Sequence, residues 1–166
     1  MRFTRLSNES PLLDDSGAVR SLFRMIRACP ACGTQNRIPG RHLADTGRCG
    51  ACKRALAPID VPLDADVEDF DEITSNARVP VLVDFWAEWC GPCRAVAPEV
   101  KKVAHDMAGK AVVLKVDTER HPELAARFGV RGIPNFIVFD GGKKVLQQAG
   151  AVGHRELRRW LEQQPR

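Results

Sequence analysis

The sequence predicts an α/β fold, a mixed central sheet covered by helices on both faces, with a small cysteine-rich module in front of it. Three observations carry this expectation. From residue 67 onward, continuous apolar runs alternate with amphipathic segments. Two CxxC pairs, Cys29 to Cys32 and Cys49 to Cys52, lie in a stretch rich in Gly, Pro and Arg and poor in large apolar side chains. A third pair, within WCGPC (89–93), falls where a buried run passes into a helical one.

Taken in order, residues 1–24 mix Ser, Asn, Asp and Gly with little periodicity, and a poorly ordered extension is expected there. VRSLFRMIR (19–27) suits a short helix, and Met25 is a candidate internal start, which would make the extension an upstream addition. Residues 25–54 form the cysteine module, too poor in core residues to fold without a staple. ALAPIDVPLDAD (55–66) reads as a linker running into a short strand, opening a main domain over 55–166. VEDFDEITSN (67–76) places Val67, Phe70 and Ile73 three apart, as a short helix does. VPVLVDFWA (79–87) is apolar throughout, as expected of a strand buried on both faces. Residues 92–108 suit a helix with Pro92 in its first turn and Pro98 as a kink. AVVLKVD (111–117) is a second buried strand, PELAARF (122–128) a short helix and PNFIVFD (134–140) a further strand. Gly141-Gly142 turns a hairpin into KKVLQQA, and HRELRRWLEQQ (154–164) closes the chain as an amphipathic helix. Parallel strands joined by helices, followed by an antiparallel hairpin, make a mixed sheet.

Charge divides at the same boundary. Residues 25–54 hold six Lys/Arg against one acid, Asp45, whereas residues 55–166 hold fifteen basic and seventeen acidic groups. A basic stretch can bind nucleic acid. It can equally offset the negative charge of a four-thiolate metal site, the reading preferred here, because 29–54 has no aromatic residue for base stacking. No apolar run approaches the roughly 20 residues of a membrane span. The first residues lack the apolar core of a secretory signal and include Glu9, Asp14 and Asp15, unlike a transit peptide. A cytoplasmic, monomeric protein contacting neither membrane nor nucleic acid is expected. In that compartment CxxC pairs serve metals or redox chemistry more often than structural disulfides.

The three pairs divide by surroundings. Sixteen residues separate Cys32 from Cys49, a spacing that fits one zinc ion held by Cys29, Cys32, Cys49 and Cys52. Two disulfides are the alternative, disfavoured by the compartment. Gly33 and Gly50 suit the tight turns that aim backbone N–H groups at sulfur, and bound zinc supplies folding energy the segment lacks. In WCGPC, Cys90 falls at a helix N-terminus, where unpaired N–H groups and the helix dipole favour the thiolate that attacks disulfides. Cys93 lies one turn on, placed to resolve a mixed disulfide; Gly91 allows the tight turn and Pro92 stiffens it. No further cysteine in 55–166 could complete a metal site.

VDFWAEWCGPCRAVAP (83–98), KVDTERHPELAARFGVRGIPNFIVF (115–139) and Gly150 closely resemble the thioredoxin family, over about residues 56–164. CPACGTQNRIPGRH (29–42) resembles the opening of the zinc module in its thioredoxin 2 subfamily, which extends the likeness back to about Met25. The resemblance implies a thioredoxin fold and a protein-disulfide reductase serving electron transport and cell redox homeostasis. Cys90 would attack and Cys93 resolve. Asp84 would be a buried carboxylate that deprotonates Cys93, with Lys115 as its partner. Ile133-Pro134 would be a cis bond beside the cysteines, the Ile133 backbone pairing with substrate. Trp89 would belong to a flat apolar docking surface, and Gly132 and Gly150 would leave room for a partner's chain. Asn135 stands where the family often has Thr, and Arg94 where it often has Lys. Implied partners are oxidised proteins and an NADPH-dependent thioredoxin reductase. The chain itself carries no dinucleotide fingerprint, so neither flavin nor nicotinamide is expected on it. The alternative activity is a redox sensor or holdase switched by zinc release.

Overall fold

The computed structural model describes residues 4–5 and 25–164. The expected N-terminal extension therefore lies outside the described residues, apart from the two-residue strand β1 (Thr4–Arg5). The remaining strands are β2 (Ile26–Ala28), β3 (Gln35–Arg37), β4 (Gly47–Arg48), β5 (Ala55–Leu56), β6 (Leu63–Asp64), β7 (Val81–Trp86), β8 (Val112–Asp117), β9 (Asn135–Asp140) and β10 (Lys143–Ala149). The helices are α1 (Val67–Asn76), α2 (Gly91–Asp106), α3 (Pro122–Arg127) and α4 (His154–Glu162).

The cysteine module is built from β-structure. β1, β3 and β2 form a three-stranded antiparallel sheet, and β4 and β5 a two-stranded one. The helix expected over 19–27 is not formed in its described part, because Ile26–Ala28 pairs with Gln35–Arg37 instead. Ala55–Leu56, expected in the linker, completes the module's second hairpin against Gly47–Arg48. A 3-10 turn, Gly40–His42, then meets α1. There the Gly40 N–H donates to Glu72 Oε1 at 3.0 Å, and the space a Cβ would need at Gly40 is taken by the Glu72 carboxylate.

The main sheet has the order β10-β9-β7-β8-β6. β6 and β7 run parallel to β8, as expected of strands joined by helices. β9 runs antiparallel to β7, so the sheet changes sense one strand before the hairpin. Strand alternation decides which helix layer each residue meets. Val81, Val83 and Phe85 pack with Phe70, Ile73 and Leu124 on the α1/α3 face, in a core continuous with Met25, Ile38, Leu43 and Leu56 of the cysteine module. Leu82 packs with Val96, Val100, Leu157 and Trp160 on the α2/α4 face. Asp84 shares parity with Leu82, so it points to the layer containing α2. Phe70 and Phe128 have ring centroids 5.3 Å apart, and Phe128 and Phe139 likewise, which seats the chain after α3 on the core. α2 runs unbroken through Pro98. Among the described residues, no helix is long and apolar enough to cross a membrane.

Candidate functional site

β7 delivers the chain to Cys90, which caps α2. The Cys90 Sγ accepts from the Cys93 N–H at 3.1 Å, and the two cysteines form a disulfide. Both sulfurs are nearly buried, in a small cluster with Ala87, Trp86 and Ile133. Trp89 beside them is 67 % exposed. Gly91 and Pro92 occupy the first two helical positions and are exposed. Gly91 does not take a positive φ, so the turn does not demand glycine there, and a Cβ at this position would meet open space.

Ile133-Pro134 is cis. The loop that carries it faces Trp89, Cys90 and Pro92 across a groove of about 560 Å3, lined also by Thr118, Ala125, Val130, Arg131 and Gly132. Gly150 has φ +97°, and its N–H donates to Pro134 O at 2.9 Å. Gly132 is exposed with nothing near the position of a Cβ.

Asp84 is buried at the centre of β7, between Lys115 on β8 and Phe136 on β9. Its Oδ1 has no hydrogen-bond partner. Burial raises its carboxyl from the usual 3.8 to about 7, and the nearby Lys115 charge opposes part of that rise. Lys115 thus stands opposite Asp84 in the ladder, but its ammonium lies 3.7 Å from Asp64 Oδ1 and 3.8 Å from the centroid of the Trp86 ring. It acts on Asp84 through its field.

The four remaining cysteines converge. Their sulfurs all lie within 4.8 Å of one another, with Cys29 to Cys52 at 3.6 Å and Cys32 to Cys49 at 3.7 Å. Two matching turns bring them together. In the first, the Cys29 N–H bonds Thr34 O and the Gly33 N–H bonds Cys29 O. In the second, the Cys49 N–H bonds Arg54 O and the Lys53 N–H bonds Cys49 O. Gly33 takes φ +70° as expected, but the left-handed position of the second turn falls on Lys53, φ +65°, and not on Gly50.

Sequence reasoning missed Asn36, which is fully buried on β3 and joins the two turns. Its Nδ2 donates to Thr34 O at 2.7 Å and approaches Cys49 Sγ at 3.6 Å, while its Oδ1 accepts the Gly50 N–H at 2.8 Å. Burial raises the Cys49 thiol, but the N–H groups of Cys52 and Ala51 and the Asn36 amide outweigh it and hold it near 6. The Arg54 N–H lowers Cys52, yet burial and the three neighbouring sulfurs lift it to about 11. Sulfurs so close cannot all carry charge without a cation among them, so the donor set fits zinc. His42 is no part of it: its Nδ1 bonds Asp45 Oδ2 at 2.8 Å and its Nε2 accepts from Arg41 Nε at 3.1 Å.

Comparison with known proteins agrees with both halves. The family profile described as Thioredoxin matches residues 61–163, and that described as Thioredoxin 2, N-terminal, a zinc ribbon, matches residues 28–54. Thioredoxin C-3 of Corynebacterium nephridii is 41 % identical over 140 residues, covering 84 % of this chain and 95 % of its own. Thioredoxin 1 of a Nostoc strain is 47 % identical over 93 residues, covering 56 % of this chain and 87 % of its own. A solved mutant thioredoxin from Halobacterium salinarum superposes with a TM-score of 0.60 at 34 % identity, over 64 % of this chain and 93 % of that one.

Proposed function

The chain belongs to the thioredoxin family and is a thiol-disulfide oxidoreductase with a zinc-ribbon module in front; on that footing we propose how its residues divide the work. Residues 25–54 form a module that holds one zinc ion through Cys29, Cys32, Cys49 and Cys52. Residues 55–166 carry the protein-disulfide reduction. The observation that supports this division most is the separation of the cysteines into a disulfide pair at a helix N-terminus and a cluster of four that does not include it.

In the reduced protein the Cys90 thiolate attacks one sulfur of a substrate disulfide. An S–S bond forms to Cys90, and the substrate's other sulfur leaves as a thiolate that takes up a proton. Asp84 accepts the proton of Cys93; its raised pKa near 7 suits a base that must work near neutrality. The Cys93 thiolate then attacks Cys90 Sγ, releases the second substrate thiol and leaves the Cys90–Cys93 disulfide. Lys115 tunes Asp84 electrostatically. Trp89, Gly91, Pro92, Gly132, Ile133, Pro134 and Gly150 form the docking surface, the Ile133 backbone pairing with an extended substrate segment in the manner of an added strand.

Two electrons must return to the pair, and an NADPH-dependent thioredoxin reductase is the proposed source. The setting is the cytoplasm, whose reducing poise suits four clustered free thiols. Zinc in the ribbon supplies a folding staple.

The test is insulin-disulfide reduction by dithiothreitol with wild type, Cys90→Ser and a quadruple Ser variant of Cys29, Cys32, Cys49 and Cys52, with zinc measured on each. Cys90→Ser should be inactive with one zinc; the quadruple variant should be active without it. Activity that survives Cys90→Ser, or that needs the four ribbon thiols for turnover, would overturn the division of labour. Zinc leaving the wild type under mild peroxide, with a gain of holdase activity, would favour the sensor.

A further inference from the structure

One side chain outside the described site touches both ends of the loop that faces the cysteines. Gln147 lies in the middle of β10, opposite Ile137 of β9. Its Nε2 donates to Phe128 O at 3.1 Å and to Asn135 Oδ1 at 3.3 Å. Phe128 ends α3, and Asn135 follows Pro134. A single amide group therefore holds the two residues that bracket the 129–134 loop. Its orientation is set from the other side, where Lys144 Nζ donates to Gln147 Oε1 at 2.8 Å. With the oxygen facing an ammonium, the two N–H bonds can only face the loop.

We propose that Gln147, working through Asn135 and Phe128 O, is a positioning residue that staples the 129–134 loop in the shape that receives substrate. Other contacts hold the flanks of the loop, but none of them joins its two ends to each other. Arg131 and Gly132 at its tip are exposed, whereas Val130 and Ile133 are half-buried against the core and the Val130 N–H donates to Ala125 O at 2.9 Å. Its ends, by contrast, are fixed. Phe128 is seated in the aromatic core, Asn135 is buried at the start of β9, and the Gly150 N–H holds Pro134 O. The Gln147 amide ties those two ends directly to each other, and so restrains the span the intervening residues cross. Substrate pairing depends on where the Ile133 N–H and C=O point, and a loop free to flex must be ordered each time substrate binds. The chemistry at Cys90 and Cys93 does not pass through Gln147. This proposal rests on the reading that the Ile133 loop seats the substrate.

The role separates from a general stabilising one by which kinetic constant moves. Gln147→Met keeps the length and removes both donated bonds. Gln147→Glu keeps the size and still accepts from Lys144, but sets a carboxylate against two acceptor oxygens. Insulin reduction with dithiothreitol should show KM raised about fivefold or more by Gln147→Met, and further by Gln147→Glu, with kcat within about twofold. Alkylation of reduced Cys90 by iodoacetamide, which needs no groove, should stay within about twofold for both. A KM within twofold of wild type for both variants overturns the proposal. So does a fall in the alkylation rate that matches the loss in insulin reduction, since that reports a distorted protein. Gly132→Val, which crowds the groove without touching Gln147, separates this failure from that of the underlying reading. If Gly132→Val raises KM and the Gln147 variants do not, the staple alone is refuted. If Gly132→Val also leaves KM unchanged, the loop does not seat substrate and the proposal falls with it.

Discussion

Asp84→Asn should stabilise the protein by an amount that depends on pH. Asp84 is 2 % exposed, its Oδ1 accepts no hydrogen bond, and burial lifts its carboxyl from 3.8 to about 7 against the opposing pull of Lys115. Because the folded pKa lies above the unfolded one, the native state binds more protons than the unfolded chain between about pH 4 and pH 7. Stability therefore falls as pH rises through that window. Below it both states are protonated and nothing is lost; above it the full penalty applies. The rise from 3.8 to about 7, at about 1.4 kcal/mol for each tenfold change in proton affinity, amounts to roughly 4 kcal/mol. Asn keeps the shape and removes the charge, though burying its amide carries a smaller cost of its own, so the variant should exceed wild type by about 3 kcal/mol at pH 8. Near pH 4 the gap should shrink below about 1 kcal/mol. Urea unfolding of the oxidised protein at half-unit steps from pH 4 to 8.5 measures it. A gap of equal size at both ends, or an Asn variant less stable at pH 8, would refute the claim that a buried charge is responsible. The same substitution should slow release of the mixed disulfide by about 10²-fold, the usual contribution of a positioned base. Stability is given up at this position for a group that can take a proton.

Lys115→Met should push the Asp84 carboxyl above about 7, because the one opposing charge is gone; the pH profile of mixed-disulfide release then moves to higher pH, and an unshifted profile would show that Lys115 has no effect on the base. Asn36→Ala removes the amide that bridges Thr34 O and the Gly50 N–H and approaches Cys49 Sγ. Zinc affinity, read by competition with a chromophoric chelator, should drop about 10- to 100-fold while insulin reduction stays within about twofold; undiminished affinity would mean that the turns hold the sulfurs unaided.

Local pattern carried the main domain because its strands are buried on both faces and its helices on one. α1 and β10 fall on the residues the sequence assigns them, and the other elements of this domain differ only at their ends. The cysteine module was less legible. VRSLFRMIR suits a helix locally, yet Ile26–Ala28 pairs with β3 across the Cys29 turn, and the periodicity of the segment does not announce that partner. Lys53 at φ +65° shows the same override, since the symmetry of the second turn dictates the backbone and the residue adapts. The roles of Asp84 and of the Ile133-Pro134 bond came from family resemblance, as neither spacing nor periodicity implies them.

Polar pairings were the part that periodicity could not supply. Strand alternation sets the face on which a side chain lies, and it puts Asp84 on the α2 side with Leu82. It does not say that Gln147 meets Asn135 across the hairpin, that Asn36 spans two cysteine turns, or that the Lys115 ammonium lies over Trp86. A different signal was available. Six polar or charged residues are buried in the described chain: Asn36, His42, Asp69, Thr74, Asp84 and Asn135. Burying such a group is unfavourable unless something compensates. Asn36 stands at the sulfur cluster, Asp84 on the strand that leads to the dithiol, and Asn135 behind the loop that faces it. A carboxylate in VLVDFW, or an amide opening the strand NFIVFD, departs from an otherwise apolar pattern. Such departures point to function more directly than the apolar residues around them, because packing alone would favour a hydrophobic side chain at each.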